Sequence, residues 1–393
     1  MKKRLGILLL ILSVTQICFA QWQQTSCPTA SYINCFTNSG TEVFTGTAGL
    51  GIFLTTDSGN TWTAKNNGLG NMTVTCMAVS GTNIFAGTYG GVYLSANNGT
   101  SWTAVNSGLT NTTVTAIAIS GTNIFAGTDG GVFLSVNNGA SWAAKNSGLT
   151  NLHVRSIAIS GANIFAGTWN SGGVFLSTNN GTSWTAKSSG ITNLNIYSVI
   201  FNGTDVLAGT GGGGIFLSSN YGSSWTTKNT GLVNMYVQAF AIKDTNIFAG
   251  SFGGGVYRSK NNAASWTPIN YGLTNPFIFS LNINGKKIYA GTNTAGVWRC
   301  VLSNAIGIDE YSLVNHLSVF PNPASEILNY AIDNSSFLDD IYISVYDLQG
   351  KLILSRTSNL SKSEIDINNL AKGIYMLKII YNQHEIVKKF VKD

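Results

Sequence analysis

Residues 113–146 read TVTAIAISGTNIFAGTDGGVFLSVNNGASWAAKN, and close variants of this stretch recur along most of the 393-residue chain. Six tryptophans of the repeat are spaced by 40, 40, 42, 41 and 41 residues: Trp62, Trp102, Trp142, Trp184, Trp225 and Trp266. A second element appears seven times, as VFTGT at Val43, IFAGT at Ile84, Ile124 and Ile164, VLAGT at Val206, IFAGS at Ile247 and IYAGT at Ile288. A fixed period of this length predicts a repeat architecture.

Each unit contains four short segments rich in β-branched and aromatic residues, such as TVTAIAI, NIFAGT, GVFLS and SWAAK, separated by Gly, Asn and Ser. These segments predict four strands joined by tight turns. About 40 residues per four-stranded unit is the size of a β-propeller blade, whereas a β-helix needs shorter repeats. The sequence therefore predicts an all-β fold, with a seven-bladed β-propeller over residues 21–302.

The octamer that ends in each tryptophan has the form Ser/Thr-x-Asx-x-Gly-x-Ser/Thr-Trp. The six copies are TTDSGNTW, SANNGTSW, SVNNGASW, STNNGTSW, SSNYGSSW and SKNNAASW. The octamer resembles the Asp-box, or BNR repeat, of sialidases, sortilin-type receptors and photosystem assembly factors. Only Asp57 keeps the acid, and asparagine replaces it in the other copies. We expect the octamers to hold turns rather than ligands, with the most strained turn at Ala263, which replaces the glycine.

Seven blades need a seventh outer strand, because GVWRC at 296–300 begins a third strand that no fourth strand follows. Trp22 precedes Ser39 by 17 residues, close to the 18 residues between Trp102 and Ser120. We therefore predict that Gln21–Thr25 pairs with Gly296–Cys300 and closes the ring, which removes a free sheet edge.

The first twenty residues, MKKRLGILLLILSVTQICFA, combine a basic start, an apolar stretch and a small residue before Gln21. This pattern predicts a signal peptide over residues 1–20. No later apolar run is long enough to span a bilayer, so no transmembrane segment is expected.

The formal net charge of +6 is spread thinly, without the basic clusters of a nucleic-acid-binding surface. Cys35 and Cys76 fall at the same position of two blades, which leaves open a disulfide or two buried thiols.

After residue 302 the repeats stop, and residues 303–315 are predicted to be a linker. Residues 316–393 contain no tryptophan and alternate apolar with polar residues around turns, which predicts a small C-terminal β-sandwich. This stretch resembles the C-terminal sorting domain of the Bacteroidetes type IX secretion system. The resemblance implies Sec export through the periplasm, recognition by the secretion machinery, and a secreted or outer-cell-surface location. It assigns the sorting features to Pro321, Asn322, Pro323, Asp347, Gly350, Lys351, Gly373, Tyr375, Lys388 and Lys389. An ordinary carbohydrate-binding or stabilising sandwich is the alternative.

Residues 21–302 contain few groups for catalysis: five acids, three arginines and one histidine. Glycoside hydrolysis needs two facing carboxylates. Asp57, Asp205 and Asp244 are assigned to turns, and Asp129 is left without a partner. No cysteine or histidine set has metal-ligand spacing, so neither a metal nor a cofactor is predicted. Arg258 and Arg299 are expected to extend their charged ends to solvent from the third strand. These features favour a non-enzymatic protein over an enzyme.

Blade topology places the loops between strands two and three, and those entering strand one, at one mouth of the central channel. These loops vary while their flanks do not, and exposed aromatic rings beside amides suit a sugar or an extended peptide. The recurrent Asn111, Asn151, Asn193, Asn234 and Asn275 are expected to cap turns instead. The predicted ligand-binding residues are Tyr89, Asp129, His153, Trp169, Asn170, Asn195, Tyr236, Phe252 and Phe277. The leading hypothesis is an exported propeller that binds a glycan or a surface protein there. A glycan-active hydrolase and a purely structural surface protein are the alternatives.

Overall fold

The computed structural model describes residues 22–28, 31–302, 317–332, 341–358, 362–381 and 384–393. The chain forms two compact units, which divide between residues 306 and 307. The predicted signal peptide and linker lie outside the described residues. Among the described residues, no helix has the length and apolar character needed to cross a bilayer.

The first unit is a seven-bladed β-propeller, and each blade is one antiparallel four-stranded sheet. From the channel outwards we call the four positions inner, second, third and outer. The inner strands are β2 Ile33–Ser39, β6 Val74–Ser80, β10 Val114–Ser120, β14 Val154–Ser160, β18 Ile196–Asn202, β22 Val237–Lys243 and β26 Ile278–Asn284. The second strands are β3 Glu42–Thr47, β7 Asn83–Thr88, β11 Asn123–Thr128, β15 Asn163–Thr168, β19 Asp205–Thr210, β23 Asn246–Ser251 and β27 Lys287–Thr292.

The third and outer strands complete the blades. The third strands are β4 Ile52–Thr55, β8 Gly91–Ser95, β12 Gly131–Ser135, β16 Gly173–Ser177, β20 Ile215–Ser218, β24 Gly255–Ser259 and β28 Val297–Val301. The outer strands are β5 Thr63–Ala64, β9 Thr103–Ala104, β13 Ala143–Ala144, β17 Thr185–Ala186, β21 Thr226–Thr227, β25 Thr267–Pro268 and, in blade 7, β1 Gln23–Gln24.

The second and third strands form the core of each blade. In β11 every residue after Asn123 is buried, and all five residues of β12 are buried. Such strands lie between two neighbouring blades, so both of their faces are apolar or small. The inner strand is only partly buried, because one side of it borders the channel.

Each Asp-box tryptophan joins its blade to the preceding one. Trp142 is buried, and its indole Nε1 donates a 2.7 Å hydrogen bond to the carbonyl oxygen of Val105 in the blade before. Four equivalent bonds are Trp102 to Lys65, Trp184 to Lys145, Trp225 to Lys187 and Trp266 to Lys228. The repeated tryptophan is thus a contact between blades, which a single isolated blade cannot make.

The N-terminal residues close the ring as predicted. Gln23 pairs with Arg299 and Gln24 with Trp298, which makes β1 the outer strand of blade 7. Trp22 is 2% exposed, and its Nε1 donates to the carbonyl of Ile269, so it takes the place of a seventh Asp-box tryptophan. Blade 7 also contacts blade 1 directly, where the Ser280 hydroxyl donates a 2.7 Å hydrogen bond to the Ile33 carbonyl.

The octamers form hydrogen-bonded turns on the side of the ring opposite the loops between the second and third strands. In the third copy the Ser135 hydroxyl accepts from the N–H of Gly139, and Asn137 Oδ1 accepts from the N–H of Ser141. Asn137 Nδ2 donates to the Ser141 hydroxyl at 2.9 Å. In the sixth copy Ala263 holds a positive φ of 63°, as expected for a residue in the place of glycine, and its methyl group is fully buried.

Asp57 is the one acid of these turns. Its Oδ1 accepts from the N–H of Thr61 and its Oδ2 from the Thr61 hydroxyl, at 2.9 and 2.7 Å. These hydrogen bonds, chiefly the one from the Thr61 backbone, lower the pKa of Asp57 from 3.8 to about 2. The ionised carboxylate therefore suits the folded turn better than the protonated form does.

The four described cysteines are free thiols, so the disulfide considered for Cys35 and Cys76 is not formed. Burial raises the pKa of the Cys27 and Cys76 thiols to about 12 each. Cys27 and Cys300 pack in different hydrophobic clusters. These side chains act as small core residues of the blades.

The second unit is a small β-sandwich of two sheets. One sheet has the order β29-β30-β33, with strands Leu317–Phe320, Ile327–Ile332 and Lys362–Asp366. The other has the order β32-β31-β34-β35, with strands Leu352–Ser358, Ile341–Tyr346, Gly373–Tyr381 and His384–Lys392. Its buried core includes Leu328, Tyr330, Ile343, Val345, Ile365, Leu377, Ile379 and Phe390.

We predict that Trp22→Ala lowers the free energy of unfolding of the propeller by about 3–5 kcal/mol, because a buried indole and the contact between blades 6 and 7 are lost. Denaturant unfolding of the full chain measures this change. Trp62, which is only partly buried and donates instead to the Thr25 hydroxyl, supplies the control. If Trp62→Ala lowered the free energy of unfolding as much as Trp22→Ala does, the larger contribution expected of Trp22 to closing the ring would be contradicted.

We predict that Asp57→Asn makes the first turn insensitive to acid. The pKa of Asp57 is lower in the folded protein, so its stabilising effect is complete above about pH 5 and is lost as the pH falls from about 4 towards 2. The melting temperature of the wild type relative to the variant should therefore fall across that interval. A difference that stays constant from pH 6 to pH 2 would show that the carboxylate has no such effect.

Candidate ligand-binding site

The two variable loop sets meet in pairs at one mouth of the channel. In each blade the residue that follows the second strand donates its backbone N–H to the carbonyl of the residue just before the inner strand. Trp169 donates in this way to His153, and Phe252 to Tyr236, at 2.9 and 2.8 Å. The other pairs are Ala48 with Tyr32, Tyr89 with Thr73, Asp129 with Thr113, Gly211 with Asn195 and Asn293 with Phe277. The predicted grouping of the two loop sets at one mouth is therefore correct.

The recurrent asparagines hold these loops and are not free for a ligand. Asn234 Oδ1 accepts from the N–H of Tyr236, and its Nδ2 donates to the carbonyl of Phe252. Asn111, Asn151, Asn193 and Asn275 accept from the residue two positions on in the same way. As predicted, these are turn caps.

Every inner strand contains a β-bulge at its second residue, where the pairing register with the second strand shifts. A bulge adds one residue to one strand and redirects its side chain. We call these seven residues the bulge ring: Asn34, Thr75, Thr115, Arg155, Tyr197, Gln238 and Phe279. Together with Tyr89 they line a cavity of about 180 Å³ in the channel.

Blades 4 and 5 bring aromatic and charged groups together at the mouth. Trp169 is 43% exposed, and its ring centroid lies 6.4 Å from that of Tyr197. The guanidinium carbon of Arg155 lies 5.7 Å from the Tyr197 ring centroid, a cation–π contact. His153 Nδ1 lies 3.5 Å from Asp129 Oδ1, with both side chains about half exposed.

Blades 6, 7 and 1 contribute a second aromatic group. Phe252 makes edge contacts with Phe277 and Phe279, at centroid distances of 4.9 and 5.5 Å. Tyr32 stacks on Phe279 at 5.2 Å. Tyr236 is 49% exposed beside this group, on the backbone of Gly212. One side of the mouth is therefore mainly apolar and the other polar.

Two of the predicted residues also take part in the structure of the loop. Asn195 Oδ1 accepts from the N–H of Ser171. Asn170 holds a positive φ of 51°, and its carbonyl accepts from Asn151. Both residues shape the loop that presents Trp169.

The arrangement offers little for acid–base or metal chemistry. Glu42 and Asp205 accept from Asp-box asparagines on the opposite side of the ring. Asp129 is then the one carboxylate that the described propeller residues place at the mouth, and no group of three metal-ligating side chains occurs among the described residues. Arg258 differs from expectation: it is buried and donates to Asn246 Oδ1 at 2.8 Å.

Sequence reasoning missed the bulge ring as a site. The signal was present in the starts of the inner strands, which read INC, VTC, VTA, VRS, IYS, VQA and IFS. The second residue of these triplets differs between blades and is Asn, Thr, Arg, Tyr, Gln or Phe, whereas the residues on either side of it are always apolar or small.

In the second unit, several predicted sorting residues hold the sandwich together. Asn322, which lies between Pro321 and Pro323, accepts from the N–H of Val391, and the neighbouring Ala324 donates to the Val391 carbonyl. Asp347 Oδ1 accepts from the N–H of Lys351 in a turn where Gly350 has a φ of 80°. The buried ring of Tyr375 stacks on Phe390 at 5.6 Å, and its hydroxyl donates to Ala371. Gly373 begins β34, and Lys388 and Lys389 lie on β35.

A family comparison agrees with this unit. Residues 318–393 match the family described as the secretion system C-terminal sorting domain. The chain is an exported propeller protein with a sorting tail. No curated protein matches it in sequence.

The similar solved structures support the propeller fold. YCF48 bound to a D1 peptide has a TM-score of 0.58 at 13% identity, covering 72% of this chain and 94% of that one. The extracellular domain of the two-component system BT4673 from B. thetaiotaomicron has a TM-score of 0.59 at 16% identity, covering 80% and 46%. The xyloglucanase of glycoside hydrolase family 74 from Xanthomonas campestris has a TM-score of 0.58 at 14% identity, covering 79% and 59%. At these identities the likeness concerns the fold alone.

Proposed function

We propose that this exported propeller binds a glycan at the mouth of its channel and does not hydrolyse it. The observation that supports the proposal is the joint placement of exposed rings and polar bulge residues around one cavity. Tyr89, Trp169 and Tyr236 are 53%, 43% and 49% exposed. Sugar rings stack on such side chains through their C–H faces, while amides and hydroxyls bind their polar edges.

The arrangement of carboxylates supports a role without hydrolysis. A glycosidase needs an acid and a second carboxylate within about 5–10 Å of each other. Asp129 has His153 as its neighbour. Glu42 and Asp205 begin second strands and accept from Asp-box asparagines on the opposite side of the ring, where the turns of Asp57 and Asp244 also lie. The named activity of the xyloglucanase neighbour is therefore not carried over to this chain.

We propose further that the C-terminal unit delivers the propeller to the cell surface or the medium, through the contact between the Pro321–Pro323 loop and β35. Asn322 holds the loop against this edge strand by its bond with Val391. Lys389 is exposed on the same strand and is available to the secretion machinery.

We predict that Trp169→Ala, Tyr236→Ala and Tyr89→Ala each weaken glycan binding about tenfold or more, equivalent to about 1.4 kcal/mol, without lowering the melting temperature. Glycan-array screening followed by calorimetry measures the effect. Tyr221→Asn is the matched control, because Tyr221 is an exposed ring on the opposite side and asparagine fills its position in four other Asp-boxes. Unchanged binding in all three mouth variants would refute the site, and glycan cleavage lost in Asp129→Asn would refute the non-catalytic role.

We predict that Lys389→Ala reduces the secreted fraction of the full chain, in a bacterium that carries the secretion machinery, without changing its melting temperature. Lys372→Ala removes an exposed lysine of the same unit outside the recognised positions and should leave secretion unchanged. Asn322→Ala should reduce both secretion and stability, because Val391 loses its hydrogen-bond acceptor. Equal secretion of the Lys389 and Lys372 variants would show that this lysine is not recognised.

A further inference from the structure

The bulge ring carries one charge, that of Arg155, which has no ion-pair partner among the described residues. Arg155 is an exposed residue of the ring, and its guanidinium contacts the Tyr197 ring face. The cavity lining contains no carboxylate. Asp129, the acid at the mouth, contacts His153 at 3.5 Å and forms no ion pair with Arg155. The channel entrance therefore presents an unpaired cation.

Arginine in this state is suited to an anionic ligand. The guanidinium lies over the Tyr197 ring and makes no hydrogen bond to the described residues, and its N–H groups match a carboxylate in a bidentate fashion. The next ring member, Gln238, has no hydrogen-bond partner for its amide among the described residues. Asn34 Nδ2 donates a hydrogen bond to the carbonyl of Val74, which leaves Oδ1 to accept a hydrogen bond from a ligand.

The lining favours a sugar over a peptide terminus. Two threonines, an asparagine, a glutamine and two tyrosines surround the arginine, with Phe279 as the single apolar member. An apolar peptide side chain would need an apolar lining, whereas sugar hydroxyls use amide and hydroxyl partners. The cavity of about 180 Å³ is smaller than the pocket of about 300–1,000 Å³ that a drug-sized ligand occupies, so it suits a single unit of a longer ligand.

We propose that the bulge ring is a subsite for one uronic-acid unit of an acidic glycan, whose carboxylate pairs with Arg155. This inference rests on the proposed glycan binding and adds the chemical class of the ligand. The exposed rings of Tyr89, Trp169 and Tyr236 hold the neighbouring units, and the ring residues select the charged one.

The test compares uronate oligosaccharides with the same oligosaccharides after chemical reduction of their carboxyl groups. Galacturonate, glucuronate and mannuronate or guluronate oligomers form the panel, and calorimetry on the full chain gives the dissociation constants. The wild type should bind at least one carboxylated oligomer about tenfold to a hundredfold more tightly than its reduced form, as expected for a charged hydrogen-bonded pair. This preference should shrink as the salt concentration rises.

Arg155→Gln should abolish the preference and leave the affinity for the reduced oligomer within about twofold. Arg155 is exposed, so the melting temperature should not change. Lys286→Gln removes an exposed cation from the turn between β26 and β27, on the opposite side of the ring, and should retain the full preference.

Three results would overturn the inference. Equal binding of carboxylated and reduced oligomers by the wild type would leave the proposed glycan binding intact and remove the uronate subsite. Binding of no glycan in the panel or on the array would remove both. A preference for peptides with a free C-terminal carboxylate over amidated ones, lost in Arg155→Gln, would assign the arginine to a peptide instead.

Discussion

Neighbouring blades are joined by the hydrogen bond that a tryptophan indole donates to the blade before it, to a backbone carbonyl in every case but Trp62, which donates to the Thr25 hydroxyl. No blade encloses a core of its own, because its apolar faces are covered by the neighbouring sheets. The chain has six Asp-box tryptophans, and Trp22 supplies the bond that joins blade 7 to blade 6. Closure thus depends on residues that are separated from their partners by nearly the whole propeller sequence.

The same frame explains how near-identical repeats form a polarised mouth. Backbone hydrogen bonds and asparagine caps fix the loops in every blade. The side chains that the loops present can therefore differ between blades without loss of the loop structure. Blades 3 to 5 place Asp129, His153 and Arg155 on one side, and blades 6, 7 and 1 place Phe252, Phe279 and Tyr32 on the other. A ligand that crosses the mouth meets charge at one end and aromatic surface at the other.

Much of the fold could be predicted from the sequence, because the repeat period and the glycine and asparagine turns are local signals. The closure was also predictable, since Trp22 keeps the spacing of the other tryptophans. The bulge ring was not predicted, because the variable second position of the inner strands does not by itself reveal the register shift that directs its side chain, as in β10. The burial of Arg258 was missed for a related reason: its partner Asn246 lies on another strand, and composition does not show that contact.

Within the candidate site, the sequence indicated which loop residues to consider, but it did not indicate the role of each one. Asn170 and Asn195 stand among exposed aromatic residues in the sequence, yet backbone contacts assign them to the loop itself. Arg155 and Tyr197 look like ordinary strand residues until the bulge places them in the channel. Side-chain direction at such positions is set by three-dimensional pairing, which a single sequence does not encode locally.

Asparagine in five of the six Asp-boxes has a consequence for the face opposite the mouth. An asparagine amide both accepts from a backbone N–H and donates to a serine hydroxyl, as Asn137 does, so these turns are complete without any ion. Six such turns on one side of a ring would repel one another if each were anionic. Asparagine in these turns removes that repulsion, so the propeller does not depend on dissolved counter-ions to screen it. This property suits a protein that works outside the buffered interior of the cell.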